Sequence, residues 1–88
     1  MAALERVGRA RKQALDILGR LGPIRPVEFA RLMWPKAKGW DRPHIMNWAA
    51  RSYLTRLKDA GLASETEFGF MLNAAGLDLR DKLFPIPD

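Results

Sequence analysis

A helix with both of its ends marked is predicted within residues 41–61, which read DRPHIMNWAARSYLTRLKDAG. Asp41 can accept hydrogen bonds from the first free backbone N–H groups, and Pro43 fits the first turn, where its missing N–H costs nothing. Gly61 suits the left-handed residue that commonly follows the last helical turn. These signals predict a helix over about residues 42–60.

The two faces of this helix differ in chemistry. The apolar residues recur at helical spacing and are predicted to face the core: Ile45, Met46, Ala49, Ala50, Tyr53, Leu54 and Leu57. The outward residues are His44, Asn47, Trp48, Arg51, Ser52, Thr55, Arg56 and Lys58. Trp40 and Ile45 have the spacing of a hydrophobic staple across the helix start. Three roles are open for Trp48: it packs under the Trp40 loop, fills a pocket in a partner, or contacts thymine methyl groups. Packing is the commonest outcome for such a residue.

Two shorter segments before residue 41 also have helical periodicity. Leu4, Val7, Ala10, Ala14, Ile17, Leu18 and Leu21 share one face, which predicts a first helix over about residues 3–21. A second helix is predicted over about residues 26–34, with Pro26 in its first turn. Between the two helices, Ile24 is the single apolar anchor of an extended link, and residues 35–40 are predicted to form a loop.

The pattern changes after Gly61. Residues 62–72 have little helical period and contain branched and aromatic side chains, which predicts a hairpin with strands near 62–66 and 69–72. Asn73 can cap a last helix over about residues 74–83, with Ala74, Leu77, Leu79 and Leu83 as its apolar set. The order is therefore three helices, a hairpin and a closing helix.

Composition favours one small domain over residues 1–88. Apolar residues make up 48% of the chain and charged residues 28%, which is typical of a globular protein. The absence of Cys and the single His argue against disulfide scaffolds and the usual zinc sites. Apolar runs of four residues or fewer predict no membrane span, and the charged N-terminus is not typical of a signal peptide. We expect a soluble cytoplasmic domain.

Positive charge is concentrated in the first two thirds of the chain. Residues 1–61 carry 13 basic and 5 acidic side chains, whereas residues 62–88 carry 2 basic and 5 acidic ones. Between Arg31 and Lys58 there are seven basic residues and one acid, Asp41. Such a block is the electrostatic footprint expected for a polyanion partner, although a solvated surface that keeps the protein soluble has the same composition.

Four segments resemble MarR- and PadR-like winged helix-turn-helix regulators, and together they cover roughly residues 14–80. They are ALDILGRLGPI at 14–24, VEFARLM at 27–33, LTRLKDAGL at 54–62 and FMLNAAG at 70–76. The resemblance implies a mainly α fold with a small β-hairpin: a three-helix core, a two-stranded wing and a short C-terminal helix. It also implies double-stranded DNA as the partner, with the third helix as the recognition helix.

Two features depart from that family. Its wings usually carry Arg or Lys at the tip, whereas this hairpin carries Glu65 and Glu67, which DNA phosphates would repel. The connection between the second and third helices is about six residues and longer than usual. Because this connection contains Lys36 and Lys38, we expect it to contact phosphates.

Docking of the third helix in the major groove assigns roles to individual side chains. The candidates for contacts to base edges are Arg42, His44, Asn47 and Arg51, since Arg and Asn read guanine and adenine bidentately. The candidates for phosphate contacts are Arg25, Arg31, Lys36, Lys38, Ser52 and Thr55. The alternative is an ordinary solvated helix face.

Catalysis is not predicted. His44 has only Asp41 as a nearby carboxylate, Ser52 and Tyr53 lack a base, and no glycine-rich nucleotide loop is present. No catalytic residue, metal, small-molecule cofactor or membrane partner is therefore expected.

Two functions remain open from the sequence. The first is a small DNA-binding transcriptional regulator, which would pair as a homodimer to read a full site and whose size suits a virus, plasmid or other mobile element. The alternative is a protein-binding winged helix that uses its Trp and Phe surface and its acidic wing. One exposed patch of Trp40, Trp48 and Phe68 would favour the protein partner, and burial of these side chains would favour DNA.

Overall fold

Four α-helices and one two-stranded antiparallel hairpin make up residues 8–84, the part of the chain that the computed structural model describes. The elements in chain order are α1 (Arg9–Leu21), α2 (Pro26–Met33), a 3-10 turn (Lys38–Asp41), α3 (Pro43–Asp59), β1 (Ala63–Thr66), β2 (Gly69–Leu72) and α4 (Ala74–Leu83). The prediction of a mainly helical chain with a small hairpin is confirmed at this level.

The core lies where α1, α2, α3 and the hairpin meet. Its largest fully buried side chains are Phe29, Phe70, Leu15, Leu18, Leu54 and Leu57. The α3 face turned to the core consists of Met46, Ala50, Leu54 and Leu57, all of which belong to the predicted apolar set. Because one face of α3 is fixed in this way, the opposite face is left to solvent.

The link between α1 and α2 is tied to the hairpin. Ile24 is buried, donates its backbone N–H to the Phe70 carbonyl oxygen over 2.9 Å and accepts the Phe70 N–H over 2.8 Å. The prediction of an extended link anchored by Ile24 is confirmed. Gly69 has φ +129°, and a Cβ at this position would overlap the carbonyl oxygen of Ile24. Glycine is required here because the two backbones approach so closely.

The junction between α3 and the hairpin has the Schellman geometry that Gly61 predicts. Gly61 has φ +80°, its N–H donates to the Lys58 carbonyl oxygen over 2.9 Å, and the Leu62 N–H donates to the Leu57 carbonyl oxygen over 3.0 Å. At the other end of the hairpin, Asn73 Oδ1 accepts from the Gly76 N–H over 2.9 Å. The predicted Asn73 cap of α4 is therefore confirmed.

Two details predicted at helix starts differ from the structure: helix through residue 8, and the Asp41 cap of the third helix, whose start near residue 42 is confirmed. The first helix was expected from about Ala3, but within the described residues it begins at Arg9 with an extended Gly8 as N-cap, and residues 3–7 lie outside the described part. Glycine costs stability inside a helix and is tolerated at the N-cap, which accounts for the break. Asp41 does not cap α3, because it lies inside the 3-10 turn and Arg42 becomes the N-cap without a side-chain hydrogen bond.

Five residues expected in apolar stripes are exposed. The staple of Trp40 with Ile45 is not formed, since Ile45 is 41% exposed while Trp40 packs against the core. Ile45 lies about 100° around the helix from Met46, which takes the inward position. Ala10 and Leu21 of α1 are exposed as well, toward the two ends of that helix.

Ala74 and Leu77 of α4 are the other two exposed residues, and the neighbouring Gly76 explains the exposure of Leu77. Gly76 is buried against the carbonyl oxygen of Leu62, and a Cβ there would overlap that oxygen. This close approach turns Gly76, Leu79 and Leu83 toward the body and Leu77 outward. On the α1 side, Arg80 donates to Asp16 Oδ1 over 2.9 Å and joins the two helices.

Candidate nucleic-acid interface

The outer face of α3 carries the four candidate base-contacting side chains. Arg42 at the N-cap and His44, Asn47 and Arg51 in the helix are all exposed. His44, Asn47 and Arg51 follow at spacings of three and four residues, which places them on one side of the helix. The structure thus brings them together on the exposed first half of α3, where a helix N-terminal half would meet base edges.

A cleft of about 460 Å³ separates this side of α3 from the hairpin. It is lined by Arg25 from the start of α2, by Asn47 and Arg51 from α3, and by Glu65 and Glu67 from the hairpin. Basic and acidic side chains therefore face each other across it. The phosphate candidate Arg25 lies beside two of the base candidates, although it is 22 positions from Asn47 in the chain.

The α2–α3 connection supplies a second group of cations. Arg31, Lys36 and Lys38 are exposed, and the Arg31 guanidinium carbon lies 4.6 Å from the centre of the Trp40 ring, within cation–π range. Trp40 is anchored by its Nε1–H, which donates to the Trp34 carbonyl oxygen over 2.7 Å. The loop that carries Lys36 and Lys38 is therefore tied to the core at its aromatic residue.

Five of the candidate cations make no ion pair with a described residue. They are Arg25, Arg31, Lys36, Lys38 and Arg42, which lie at the start and end of α2 and along the connection to α3. Among the other described cations, Arg20, Arg51, Lys58, Arg80 and Lys82 are paired, whereas Arg9, Arg11, Lys12 and Arg56 make no ion pair with a described residue either. The five candidates thus place a group of unpaired cations at the α2–α3 end of the molecule, beside the first half of α3.

Arg51 is the base candidate that the hairpin engages. Its Nη1 lies 3.2 Å from Glu65 Oε2, and Lys58 Nζ lies 3.6 Å from Glu65 Oε1. The guanidinium carbon of Arg51 is also 6.0 Å from the centre of the buried Phe70 ring. Glu65 is the residue of this site that the sequence reasoning missed as a partner of α3, because 14 positions separate it from Arg51 and no local spacing signals the contact.

The two hydroxyl candidates are half-buried and lie on different sides of α3. Ser52 lines a shallow depression with Trp34, Trp48, Ala49, Tyr53 and Arg56. Thr55 follows Arg51 by four residues and so shares the side that faces the cleft. The structure therefore separates Ser52 from the cleft cations and keeps Thr55 near them.

The aromatic side chains divide into two groups. Trp48 is 69% exposed and does not pack under the Trp40 loop, so that expectation is wrong: it lies on α3 opposite the buried face, out of reach of the core. Phe68 is 64% exposed at the hairpin turn, where its N–H donates to Thr66 Oγ1 over 3.1 Å. Trp40 packs against the core. One exposed patch of all three is thus not formed, and neither are all three buried.

Tyr53 belongs to an aromatic cluster beneath the outer face. Its ring centre lies 6.0 Å from those of both Phe29 and Trp34. Burial raises the pKa of the Tyr53 hydroxyl above its ordinary value of 10.0, and the nearby Arg11 guanidinium opposes that rise. A pKa raised by burial keeps the hydroxyl protonated, which suits a core residue, as its spacing with Leu57 predicts.

No group of three or more His, Cys, Asp or Glu side chains in residues 8–84 is placed to hold a metal ion. No helix of that part of the chain combines the length and the apolar character needed to cross a membrane.

Comparison of the chain with protein-family models, with curated proteins and with solved structures finds no match.

Proposed function

We propose that this chain is a winged helix-turn-helix domain that binds double-stranded DNA through α3 and serves as a small transcriptional regulator. The order of elements supports the fold: α2 and α3 pack on each other as a helix-turn-helix unit, and β1 and β2 follow as the wing. The Ile24 bridge to Phe70 adds a short third segment at the base of that wing.

One observation carries the proposal: exposed side chains that can contact base edges lie next to cations that have no acidic partner among the described residues. Asn47 and His44 are exposed on the first half of α3, and Arg42 stands at its N-terminus. Arg31 and Lys36 lie on the adjoining connection without an acidic partner among residues 8–84. A major groove admits an α-helix, and cations on both sides of that helix would meet the phosphates that border the groove.

In this arrangement the two groups have separate roles. Arg42, His44, Asn47 and Arg51 contact base edges, where Arg pairs with guanine and Asn with adenine. Arg25, Arg31, Lys36, Lys38 and the hydroxyls of Ser52 and Thr55 contact phosphates, which fixes the register of α3 without reading the sequence. Trp48 lies in the middle of the outer face, where its ring would contact thymine methyl groups.

Fluorescence anisotropy of a labelled random-sequence duplex over a salt series tests the proposal. We expect micromolar binding whose log affinity falls linearly with log salt, because phosphate contacts release counterions. The Arg42→Gln variant should bind at least about threefold more weakly than the wild type at low salt. Arg20→Gln is the matched control, since Arg20 lies on α1 and pairs with Asp16. Absence of binding by the folded protein at low salt would overturn the proposal, and so would equal losses in the two variants.

The second candidate is a protein-binding winged helix, which the exposure of Trp48 and Phe68 favours. Exposed aromatic residues are common among interface hot spots. Its simplest form is a homodimer, and sedimentation velocity over rising protein concentration tests it. We expect self-association that the double substitution Trp48→Ser with Phe68→Ser abolishes and that Leu32→Ser, at another exposed apolar residue, leaves intact. A chain that stays monomeric, or that associates equally in all three forms, would contradict the dimer.

A further inference from the structure

The carboxylate of Glu65 reaches from the wing to two cations of α3. Its Oε2 lies 3.2 Å from Arg51 Nη1, and its Oε1 lies 3.6 Å from Lys58 Nζ. Arg51 and Lys58 are seven residues apart, so they lie two turns apart on one side of the helix, about 10 Å along its axis. The Glu65 side chain is 37% exposed and occupies the space between them. Each carboxylate oxygen thus holds a different cation.

The Arg51 guanidinium is also held by a ring. Its central carbon lies 6.0 Å from the Phe70 ring centre, at the limit of cation–π attraction. Phe70 is 1% exposed, and its backbone forms both hydrogen bonds of the bridge to Ile24, so this ring is fixed in the core. Contacts from β1 and β2 together set where the Arg51 side chain lies. An unattached arginine on the same helix would instead sample many rotamers.

We propose that Glu65 is a positioning residue that orients Arg51 for a base contact and thereby raises sequence specificity. This inference rests on the proposed function. A guanidinium has five N–H donors, and the Glu65 contact uses Nη1, which leaves other donors free for the paired acceptors of guanine. Fixing the guanidinium before binding reduces the ordering cost of that contact.

The negative charge of Glu65 also raises sequence specificity. A carboxylate beside Arg51 and Lys58 cancels part of the positive potential of α3 and so weakens binding to phosphates of any sequence. A residue selected for affinity alone would not be acidic here. Reduced nonspecific binding together with an oriented base contact widens the difference between preferred and random DNA, which is the quantity that matters for a regulator.

Glu67 provides a matched control on the same wing. It lies two positions after Glu65, it is exposed, it lines the same cleft, and it makes no ion pair with a described residue. Glu65→Ala and Glu67→Ala each remove one negative charge. Only the first variant also removes the contacts with Arg51 and Lys58, and the Arg51→Ala background separates the Arg51 contact from the Lys58 contact.

The experiment measures the ratio of the dissociation constants for a random duplex and for a duplex selected by the wild-type protein. We expect both variants to bind random DNA more tightly than the wild type. The ratio should fall about tenfold in Glu65→Ala, the size of one good bidentate contact, and stay within about twofold in Glu67→Ala. In an Arg51→Ala background, Glu65→Ala should not change the ratio further. Thermal melting of every variant verifies that it is folded at the assay temperature.

The outcomes separate this inference from the function on which it rests. Wild-type protein that binds no DNA overturns both. Binding to DNA with equal changes of the ratio in Glu65→Ala and Glu67→Ala retains the function and overturns the positioning role. Tighter binding of Glu65→Ala to the selected duplex also overturns it, because Glu65 would then mask Arg51 and not orient it.

Discussion

The side-chain amide of Asn73 donates to the backbone carbonyl oxygen of Gly61 over 2.8 Å and so joins the end of α3 to the start of α4. The same side chain accepts from the Gly76 N–H through its other polar atom. The whole hairpin lies between Gly61 and Asn73 in the chain. The backbone N–H of Asn73 also donates to the Leu62 carbonyl oxygen over 3.1 Å. One residue therefore closes the base of the hairpin and begins the last helix.

Replacing Asn73 by Ala should lower the free energy of unfolding by about 1–2 kcal/mol, since a helix cap and a second hydrogen bond are lost together. Urea denaturation followed by circular dichroism measures this change. Asn47→Ala is the control, because Asn47 is exposed on α3 and its removal should change stability by less than about 0.5 kcal/mol. Equal destabilisation by the two substitutions would show that the Asn73 hydrogen bonds contribute nothing.

Gly69→Ala should destabilise the fold more than Gly61→Ala. Both glycines have positive φ, but only at Gly69 would a Cβ meet another backbone, that of Ile24. We expect Gly61→Ala to lower the free energy of unfolding by about 1 kcal/mol, because alanine is strained in the left-handed conformation. We expect Gly69→Ala to lower the free energy of unfolding by about 3 kcal/mol or more. Alanine disfavours this backbone conformation, and its Cβ would break the hydrogen bonds to Ile24. Chemical denaturation compares them, and a smaller loss for Gly69→Ala would contradict the close approach.

Stability should fall as the pH rises above about 10, in part because of Tyr53. Burial raises the pKa of its hydroxyl in the folded state, so the unfolded chain releases this proton first. The stabilisation is complete below the unfolded pKa and is lost as the pH rises through the folded pKa. Tyr53 is the only tyrosine of the chain, so tyrosinate absorbance reports its titration directly.

The Tyr53→Phe variant separates this effect from every other cause of alkaline destabilisation, since it removes only the hydroxyl. Its stability should decline less steeply than that of the wild type at alkaline pH. Urea denaturation at each pH measures the stability of both proteins. If the two stabilities decline in parallel, Tyr53 does not contribute.

Replacing Lys36 and Lys38 by Gln should reduce the dependence of DNA binding on salt. If each lysine neutralises one phosphate, the slope of log affinity against log salt should fall by about 1.8 in magnitude. Lys12→Gln with Lys82→Gln removes the same charge from α1 and α4 and should leave the slope nearly unchanged. Anisotropy titrations over a salt series measure all three proteins. A slope that falls equally in both double variants would place the DNA contact elsewhere.

Local signals predicted much of the fold. Pro43 suits the start of α3 because its missing N–H costs nothing in the first turn. Gly61 at the end of α3 and Asn73 at the start of α4 act through hydrogen bonds within a few residues, so their effects can be read from neighbouring positions. The inward stripe of α3 and the hairpin followed from periodicity in the same way. Asp41 was misplaced because the 3-10 turn before α3 depends on Trp40, which is anchored to a residue six positions away.

The candidate site depended more on contacts between distant parts of the chain. The sequence by itself determined that the third helix has an apolar and a polar face, that the positive charge precedes residue 62 and that the hairpin is acidic. Only the tertiary structure decided that Arg25 and Asn47 share one cleft, that Glu65 holds Arg51, and that Trp48 faces solvent. Helical periodicity gives the direction of a side chain from its own helix axis, whereas its partner is set by how helices and strands pack across the core.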